Sequence, residues 1–325
     1  MRVLEYAKDG EKMRIRNVLM ALLIAATGLA ASASPDNDES YDLVILDGRV
    51  MDPETGFDAV RNVGIRGDRI ITITTERIRG KEVIQAKGLV VAAGFIDTHI
   101  HGQDPFAMKM AMRDGVTSSM DLEAGVINVA QWYAGRVGRF QINYGASASH
   151  MLARMSVLDP EVQLSGPVDA TAGKAYIAAT AADGESGWSS VVSNTEQMNQ
   201  ISRRIDEELR QGALGLGSSL AYMAGGVSTY EMFELQRVTS RYQRPTAVHT
   251  RFHLEAHPPT EAAIAFDEIF ANAALLKAPM LVVHNNDHGW EEIEEKLQMA
   301  RAQGLNMWSE HYPYEAASTF VGARF

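Results

Sequence analysis

The segment GFIDTHIHG, residues 94–102, decides the fold. It begins as a short apolar strand and then places three polar side chains at every second position, Asp97, His99 and His101. Alternate residues of a β-strand share one face, so these three side chains point the same way. Two imidazoles on one face can bind the same metal ion, but hydrogen-bonded core histidines show the same spacing. The segment alone leaves both interpretations open.

Downstream of this segment, apolar strand-like runs alternate with helical segments, which is typical of βα units around a parallel sheet. Helical periodicity is clearest at 195–210, 260–276 and 291–303. A closed βα barrel needs eight strands and typically about 250 residues. Residues 94–325 therefore predict an α/β fold, a (βα)8-type barrel that is incomplete at its C-terminal end. The candidate strands are 95–101, 116–123, 141–147, 213–219, 246–251, 280–284 and 306–312.

Upstream of the barrel, residues 41–93 contain short β-rich runs divided by turn signals such as Asp47-Gly48 and Gly67-Asp68. This pattern predicts a small β domain, a partial β-sandwich, ahead of the barrel.

The N-terminus has the features of a secretory signal. Lys12, Arg14 and Arg16 precede the apolar run 18–30, and Ala-Ser-Ala follows at 31–33. We expect a signal peptide over 1–33 with cleavage after Ala33, a polar linker over 34–40, and a periplasmic or secreted protein. The apolar run is too short for an ordinary membrane span, although an uncleaved anchor is the alternative.

Composition narrows the classes of function. The chain has 41 Asp and Glu against 30 Lys and Arg, a formal charge of −11, which disfavours a nucleic-acid partner. It has no cysteine, which excludes disulfides, thiolate zinc sites and a cysteine nucleophile. Any metal ion must therefore be bound by histidines and carboxylates.

Two further histidines end predicted strands. His249 closes the run PTAVH and His284 closes PMLVVH. Because parallel strands stay buried until they reach the active-site rim, we expect both side chains to lie there with His99 and His101. Four histidines at one rim suggest two metal ions.

Two divalent ions need an anion between them. Asp121 and Glu123 close the second predicted barrel strand. Glu123 is nearer the mouth, and we predict that it is the bridging ligand.

Several segments resemble the amidohydrolase superfamily, and within it the N-acyl-D-amino-acid deacylases, especially the D-glutamate deacylase-like members. The resemblance covers essentially residues 41–325. It is carried by GLVVAAGFIDTHIHG at 88–102, GVTSSMDLEAG at 115–125, GSSLAYMAG at 217–225, VHTR at 248–251, HNND at 284–287 and YPY at 312–314.

The resemblance implies a zinc enzyme with one or two ions. His99 and His101 would hold one ion, and His249 and His284 the other. Many deacylases have a cysteine ligand near the position of Ala124, so Glu123 beside it would supply the anion here.

The resemblance also implies a small-molecule substrate, an N-acyl-D-amino acid, whose amide bond is hydrolysed by metal-activated water. Tyr222, Arg251 and Tyr312 would bind it, since a guanidinium fork suits a carboxylate. The family's general base is an aspartate that ends the eighth strand, which we expect beyond Phe325. No residue of this chain takes that role, so we expect the chain as given to have little activity.

Two alternatives stay open. A cyclic-amide hydrolase of the dihydroorotase or hydantoinase type shares the His-x-His segment, but usually carries a carboxylated lysine on the fourth strand, where this chain offers none. The other alternative is a non-catalytic truncated product. We expect no nucleic-acid partner and no stable membrane span, and the sequence does not fix the oligomeric state.

Overall fold

The computed structural model describes residues 41–181, 184, 186–251, 261–286 and 290–314. The predicted signal peptide and linker lie outside these residues. The chain divides into two compact units between Ala92 and Ala93. None of the helices that the structure describes is long and apolar enough to cross a membrane.

The first unit is a five-stranded sheet with the order β3-β2-β1-β4, in which β5 also pairs with β1. Tight turns with positive φ at Gly56 and Gly67 connect its antiparallel strands. Val44, Leu46 and Val50 are buried at alternate positions of β1, so this strand buries one face. This is the separate β unit that the sequence predicts. The strands are β1 Tyr41–Asp52, β2 Phe57–Arg66, β3 Arg69–Thr74, β4 Gly80–Gln85 and β5 Val90–Ala92.

The second unit contains one curled parallel sheet of seven strands, paired in chain order. The predicted α/β fold with an incomplete βα barrel is confirmed. Four of the seven strands end earlier than predicted, so that His99, His101 and His284 follow their strands, whereas Glu123 and His249 lie within theirs. The strands are β6 Phe95–Asp97, β7 Val116–Val126, β8 Asn143–Ser149, β9 Leu216–Ser219, β10 Thr246–His249, β11 Met280–Val282 and β12 Met307–Ser309.

Helices connect these strands, and α6 shows why they form where they do. Asn194 and Gln197 form a capping box at its start, and Ile201, Ile205 and Leu209 are buried at intervals of four. The helices are α1 Pro105–Arg113, α2 Val129–Ala134, α3 His150–Leu158, α4 Ala170–Thr180, α5 Gly187–Ser190, α6 Thr195–Arg210, α7 Thr229–Ser240, α8 Glu261–Leu276 and α9 Trp290–Ala302.

The two faces of the sheet bury different clusters. Val248 and Val282 pack in the large core that includes the helices. Ala247 and Val283, which alternate with them, pack with Leu122 in a smaller cluster. The first face is therefore covered by helices, and the second is the inner face of the curl. His249 is two residues beyond Ala247, which puts it on the inner face.

A bulge in β7 positions Glu123. Asp121 pairs with Ala146 of β8, and the next pair is Val126 with Ala148, so four residues lie opposite one. The bulge approaches β9 closely, because a Cβ on Gly217 would lie 2.4 Å from the carbonyl oxygen of Glu123. No side chain larger than hydrogen fits at position 217.

Replacing Gly217 by alanine tests this contact. We expect Gly217→Ala to lower the free energy of unfolding by about 1–3 kcal/mol, because backbone must move to admit the methyl group. The control is Gly173→Ala in α4, whose Cβ would lie 3.7 Å from Leu152. That variant should be neutral or more stable by up to about 1 kcal/mol. Equal urea-unfolding curves for the two variants would contradict the close approach.

Candidate metal centre

His99 and His101 follow β6 directly and face Glu123. Their Nε2 atoms are 3.2 Å apart. Oε2 of Glu123 lies 3.5 Å from Nε2 of His99 and 3.3 Å from Nε2 of His101. One ligand atom from each of the three residues lies within 4.8 Å of the other two. The structure thus brings together three of the predicted ligands at one point.

The Glu123 carboxylate is buried, and its Oε1 has no hydrogen-bond partner within the described part of the chain. A buried carboxylate oxygen without a partner is costly, and a bound cation removes that cost. Two imidazole nitrogens and a carboxylate oxygen are also a donor set that zinc accepts. The residues present therefore fit a divalent metal ion.

His249 and His284 extend this group. Nε2 of His284 is 3.0 Å from Nδ1 of His249. The ring centroids of His249 and His284 are 4.6 Å apart, and those of His284 and His99 are 5.2 Å apart. The four predicted histidines therefore form one continuous row of rings.

The backbone at His284 is in the left-handed region, with φ of +36°. The amide of Asn286 donates to the His284 carbonyl at 2.7 Å. Such a conformation is uncommon for a residue other than glycine, and conformations of this kind concentrate at functional sites.

The two carboxylates of β7 have different partners. Glu123 faces the imidazole Nε2 atoms, whereas Oδ2 of Asp121 lies 3.1 Å from Nδ1 of His101. Its Oδ1 accepts the amides of Ala124 and Gly125 at 3.0 and 3.1 Å. Asp121 therefore orients His101 from behind.

Glu310 is a site residue that the sequence analysis missed. Its Oε1 lies 2.6 Å from Nδ1 of His99. Glu310 lies inside the predicted strand 306–312, but β12 ends at Ser309. Glu310 is therefore the first residue after a parallel strand. A polar residue at the end of a strand is the same signal by which the sequence predicts His249 and His284.

The charges of the centre shift its titrations. Burial lowers the pKa of both leading histidines, but carboxylate hydrogen bonds outweigh it and raise the pKa of His99 to about 9 and that of His101 to about 11. Burial raises the pKa of Glu123, but hydrogen bonds from the two histidines hold it well below its usual range. The histidines and the carboxylates thus stabilise each other's charged forms.

His249 titrates differently from these histidines. Burial lowers its pKa to about 4, and the charges of His284, His99 and His101 also lower it, against the attraction of Glu123. His249 is therefore neutral at pH 7, the form that binds metal ions.

The predicted substrate residue Tyr222 lies beside the row of histidines, and Tyr312 is bonded to Asn286, two residues after His284. The Tyr222 ring centroid is 5.1 Å from that of His249. The side chain of Asn286 exchanges two hydrogen bonds with the Tyr312 backbone, at 3.1 and 2.9 Å. Their contact with substrate stays a prediction.

Arg251 makes extensive contacts inside the protein. Its Nε and Nη2 donate to the Glu268 carboxylate at 3.0 and 2.9 Å. Its Nη1 donates to the carbonyls of Ala224 and Val227 at 2.9 and 2.8 Å. The guanidinium fork thus already binds one carboxylate, and its predicted role with substrate stays a prediction.

His150 lies apart from the row of histidines. It is fully buried, and its ring bonds to the Ser218 hydroxyl at 2.8 Å and to Glu231 at 3.0 Å. Glu231 also accepts from Arg154 at 2.6 Å. This network joins α3 and α7 to β9 and belongs to the helix-covered face.

Comparison with known proteins finds similarity to deacylases. No family model matches the chain. An N-acyl-D-glutamate deacylase of Alcaligenes xylosoxydans xylosoxydans is 27% identical over 297 residues, 87% of this chain and 59% of that protein. The crystal structure of an N-acyl-D-glutamate deacylase from Bordetella bronchiseptica, complexed with zinc and a phosphonate inhibitor, aligns with a TM-score of 0.65 at 18% identity, covering 85% of this chain and 59% of that one.

The chain is similar in sequence to one N-acyl-D-glutamate deacylase over most of its length, and its fold is similar to that of a second, solved one. It spans about three fifths of the length of these relatives. A dihydroorotase of Streptococcus pneumoniae serotype 4 is 39% identical, but over only 89 residues, 27% of this chain and 19% of that protein. The deacylase homology extends across most of the chain, whereas the dihydroorotase similarity is local.

Removing the Arg251 side chain tests its structural role. We expect Arg251→Met to lower the free energy of unfolding by about 3–5 kcal/mol, because Glu268 is left buried without its partner. The double variant Arg251→Met, Glu268→Leu should recover much of this loss. Arg203, which forms an exposed pair with Glu196, provides the control Arg203→Met. If denaturant unfolding finds Arg251→Met as harmless as the control, the ion pair has no structural role.

Proposed function

We propose that this protein binds one or two zinc ions and hydrolyses the amide bond of N-acyl-D-amino acids, N-acyl-D-glutamate among them. The observation that carries the proposal is the row of four histidines beside Glu123, whose Oε1 has no partner in the described part of the chain. The similarity to an N-acyl-D-glutamate deacylase over 87% of the chain supports the choice of substrate. The activity is proposed for the whole protein, since the chain spans 59% of that relative.

In this proposal His99 and His101 would hold one ion, His249 and His284 would hold a second, and Glu123 would be a ligand shared by both. A zinc ion, when bound, supplies a Lewis acid and lowers the pKa of water to about 7. The protein's own contribution is to present imidazole nitrogens of the correct protonation state and to exclude competing water from the buried carboxylate.

The carboxylate behind His101 supports the proposed protonation state of that ring. Asp121 accepts from Nδ1 of His101 and thereby leaves Nε2 directed at Glu123. The rim residues Tyr222, Arg251 and Tyr312 remain our candidates for binding the substrate. The general base remains the aspartate that the resemblance implies beyond Phe325.

A linear amide fits the chain better than a cyclic one. Cyclic-amide hydrolases would need a carboxylated lysine on the fourth strand of the barrel, and the fourth strand here, β9, has the sequence LGSS. In our proposal Glu123 would supply the bridging anion instead. The cyclic-amide reaction is still the alternative to be tested, because a dihydroorotase matches a short part of the chain.

Zinc binding and turnover test the proposal together. We expect metal-free protein to take up zinc in a chelator-competition titration, and the double variant His99→Asn, His249→Asn to lose it, since each histidine pair loses a ligand. The whole protein, expressed from its own gene and loaded with zinc, should release glutamate from N-acetyl-D-glutamate faster than from N-acetyl-L-glutamate.

The exposed His311 gives the control His311→Asn, which should keep the zinc content of the wild type. Unchanged zinc in the double variant would refute the metal site. If the protein opens the ring of dihydroorotate and does not hydrolyse N-acetyl-D-glutamate, the deacylase proposal is wrong and the cyclic-amide reaction is the function.

We also propose export with cleavage after Ala33, on the order of basic segment, apolar run and Ala-Ser-Ala in the sequence. The intact mass of protein recovered from the periplasm should correspond to a chain that begins at Ser34. A soluble cytoplasmic protein whose mass includes residues 13–33 would contradict it.

A further inference from the structure

Glu310 touches both halves of the histidine row. Its Oε1 accepts from Nδ1 of His99 at 2.6 Å and from the backbone amide of His284 at 3.4 Å. Its Oε2 accepts from the hydroxyl of Thr98. One carboxylate therefore contacts residues that follow β6 and β11, which belong to the two predicted metal-binding pairs.

The backbone of Glu310 is also held in place. Its amide donates to the Val282 carbonyl at 3.0 Å, and its carbonyl accepts from the Asn285 amide at 2.8 Å. The side chain is mostly buried, with 13% of its surface exposed. Glu310 therefore has little freedom to leave His99.

A carboxylate accepts hydrogen bonds but donates none when ionised. Its position against Nδ1 requires that this nitrogen of His99 carries a proton. Nε2 is then the nitrogen that faces His101 and Glu123, at 3.2 and 3.5 Å. A metal ion at this point needs an Nε2 lone pair, which the neutral ring offers when its proton is on Nδ1.

We propose that Glu310 is a positioning residue: it fixes the Nδ1-protonated state and the ring orientation of His99, and so sets the affinity of the centre for zinc. The proposal rests on the proposed function, because it concerns the same metal centre. Asp121 does the same for His101, so each histidine of the leading pair has its own carboxylate. Removing such a partner typically costs 10–100-fold in metal affinity.

The test compares Glu310→Gln with Glu294→Gln. Glu294 is a partly buried carboxylate that accepts hydrogen bonds from Ser309 at 2.9 Å and from Arg301 at 2.6 Å. Ser309 is the residue directly before Glu310. We expect Glu310→Gln to weaken zinc binding about 10–100-fold in chelator competition. Glu294→Gln should leave the affinity within about threefold of the wild type, whatever its effect on stability.

Histidine NMR provides a readout that a purely structural role would not change. In protein labelled with 15N-histidine, the Nδ1 protons of His99 and His101 should both be shifted downfield and slow to exchange, because each is bonded to a carboxylate. Glu310→Gln should abolish or broaden the His99 signal and keep that of His101. Loss of the same signal in His99→Asn assigns it.

The two readouts separate the possible failures. If wild-type protein binds no zinc but shows the His99 signal that depends on Glu310, the metal function fails and the positioning contact stands. If zinc binds and Glu310→Gln changes neither its affinity nor the His99 signal, the positioning role is refuted. An equal loss of zinc affinity in Glu294→Gln would also refute it, since the effect would then be structural.

Discussion

The Glu123 carboxylate is buried, and the arrangement around it follows from that constraint. An ionised carboxylate away from water needs positive charge or hydrogen-bond donors close by. Two imidazoles supply them on one side, and the row continues through His284 to His249. The β7 bulge that carries Glu123 in turn depends on a hydrogen at position 217. A backbone detail of β9 thus determines where the charge lies.

Two kinds of carboxylate surround the histidines. Glu123 lies against the Nε2 atoms, where a ligand would bind, whereas Asp121 and Glu310 lie against the Nδ1 atoms. In our proposal the first kind would share a metal ion with the rings, and the second would fix their protonation and direction. Asp121 and Glu123 come from β7, which pairs with β6, whereas Glu310 follows β12 at the other end of the sheet. The role of Glu310 therefore requires both ends of the sheet to be in place.

The sequence predicts those features that repeat locally. Strand periodicity and polar residues at strand ends are enough to place His99, His101, His249 and His284 on one rim and to choose Glu123 over Asp121. Contacts between distant segments leave no such pattern. Glu310 is hidden within a predicted strand that ends sooner, and the Glu268 partner of Arg251 lies in the middle of a helix. The signal peptide depends on residues 1–40, which the structure does not describe.

The contact of Glu310 with His99 joins residues 211 positions apart. At a synthesis rate of ~5–20 residues per second, ~10–40 s separate the emergence of the two side chains. During that interval His99 has its strand but not its carboxylate, and its ring is free to take either tautomer. The orientation of the His99 ring is therefore completed by one of the last segments of the described chain to be made.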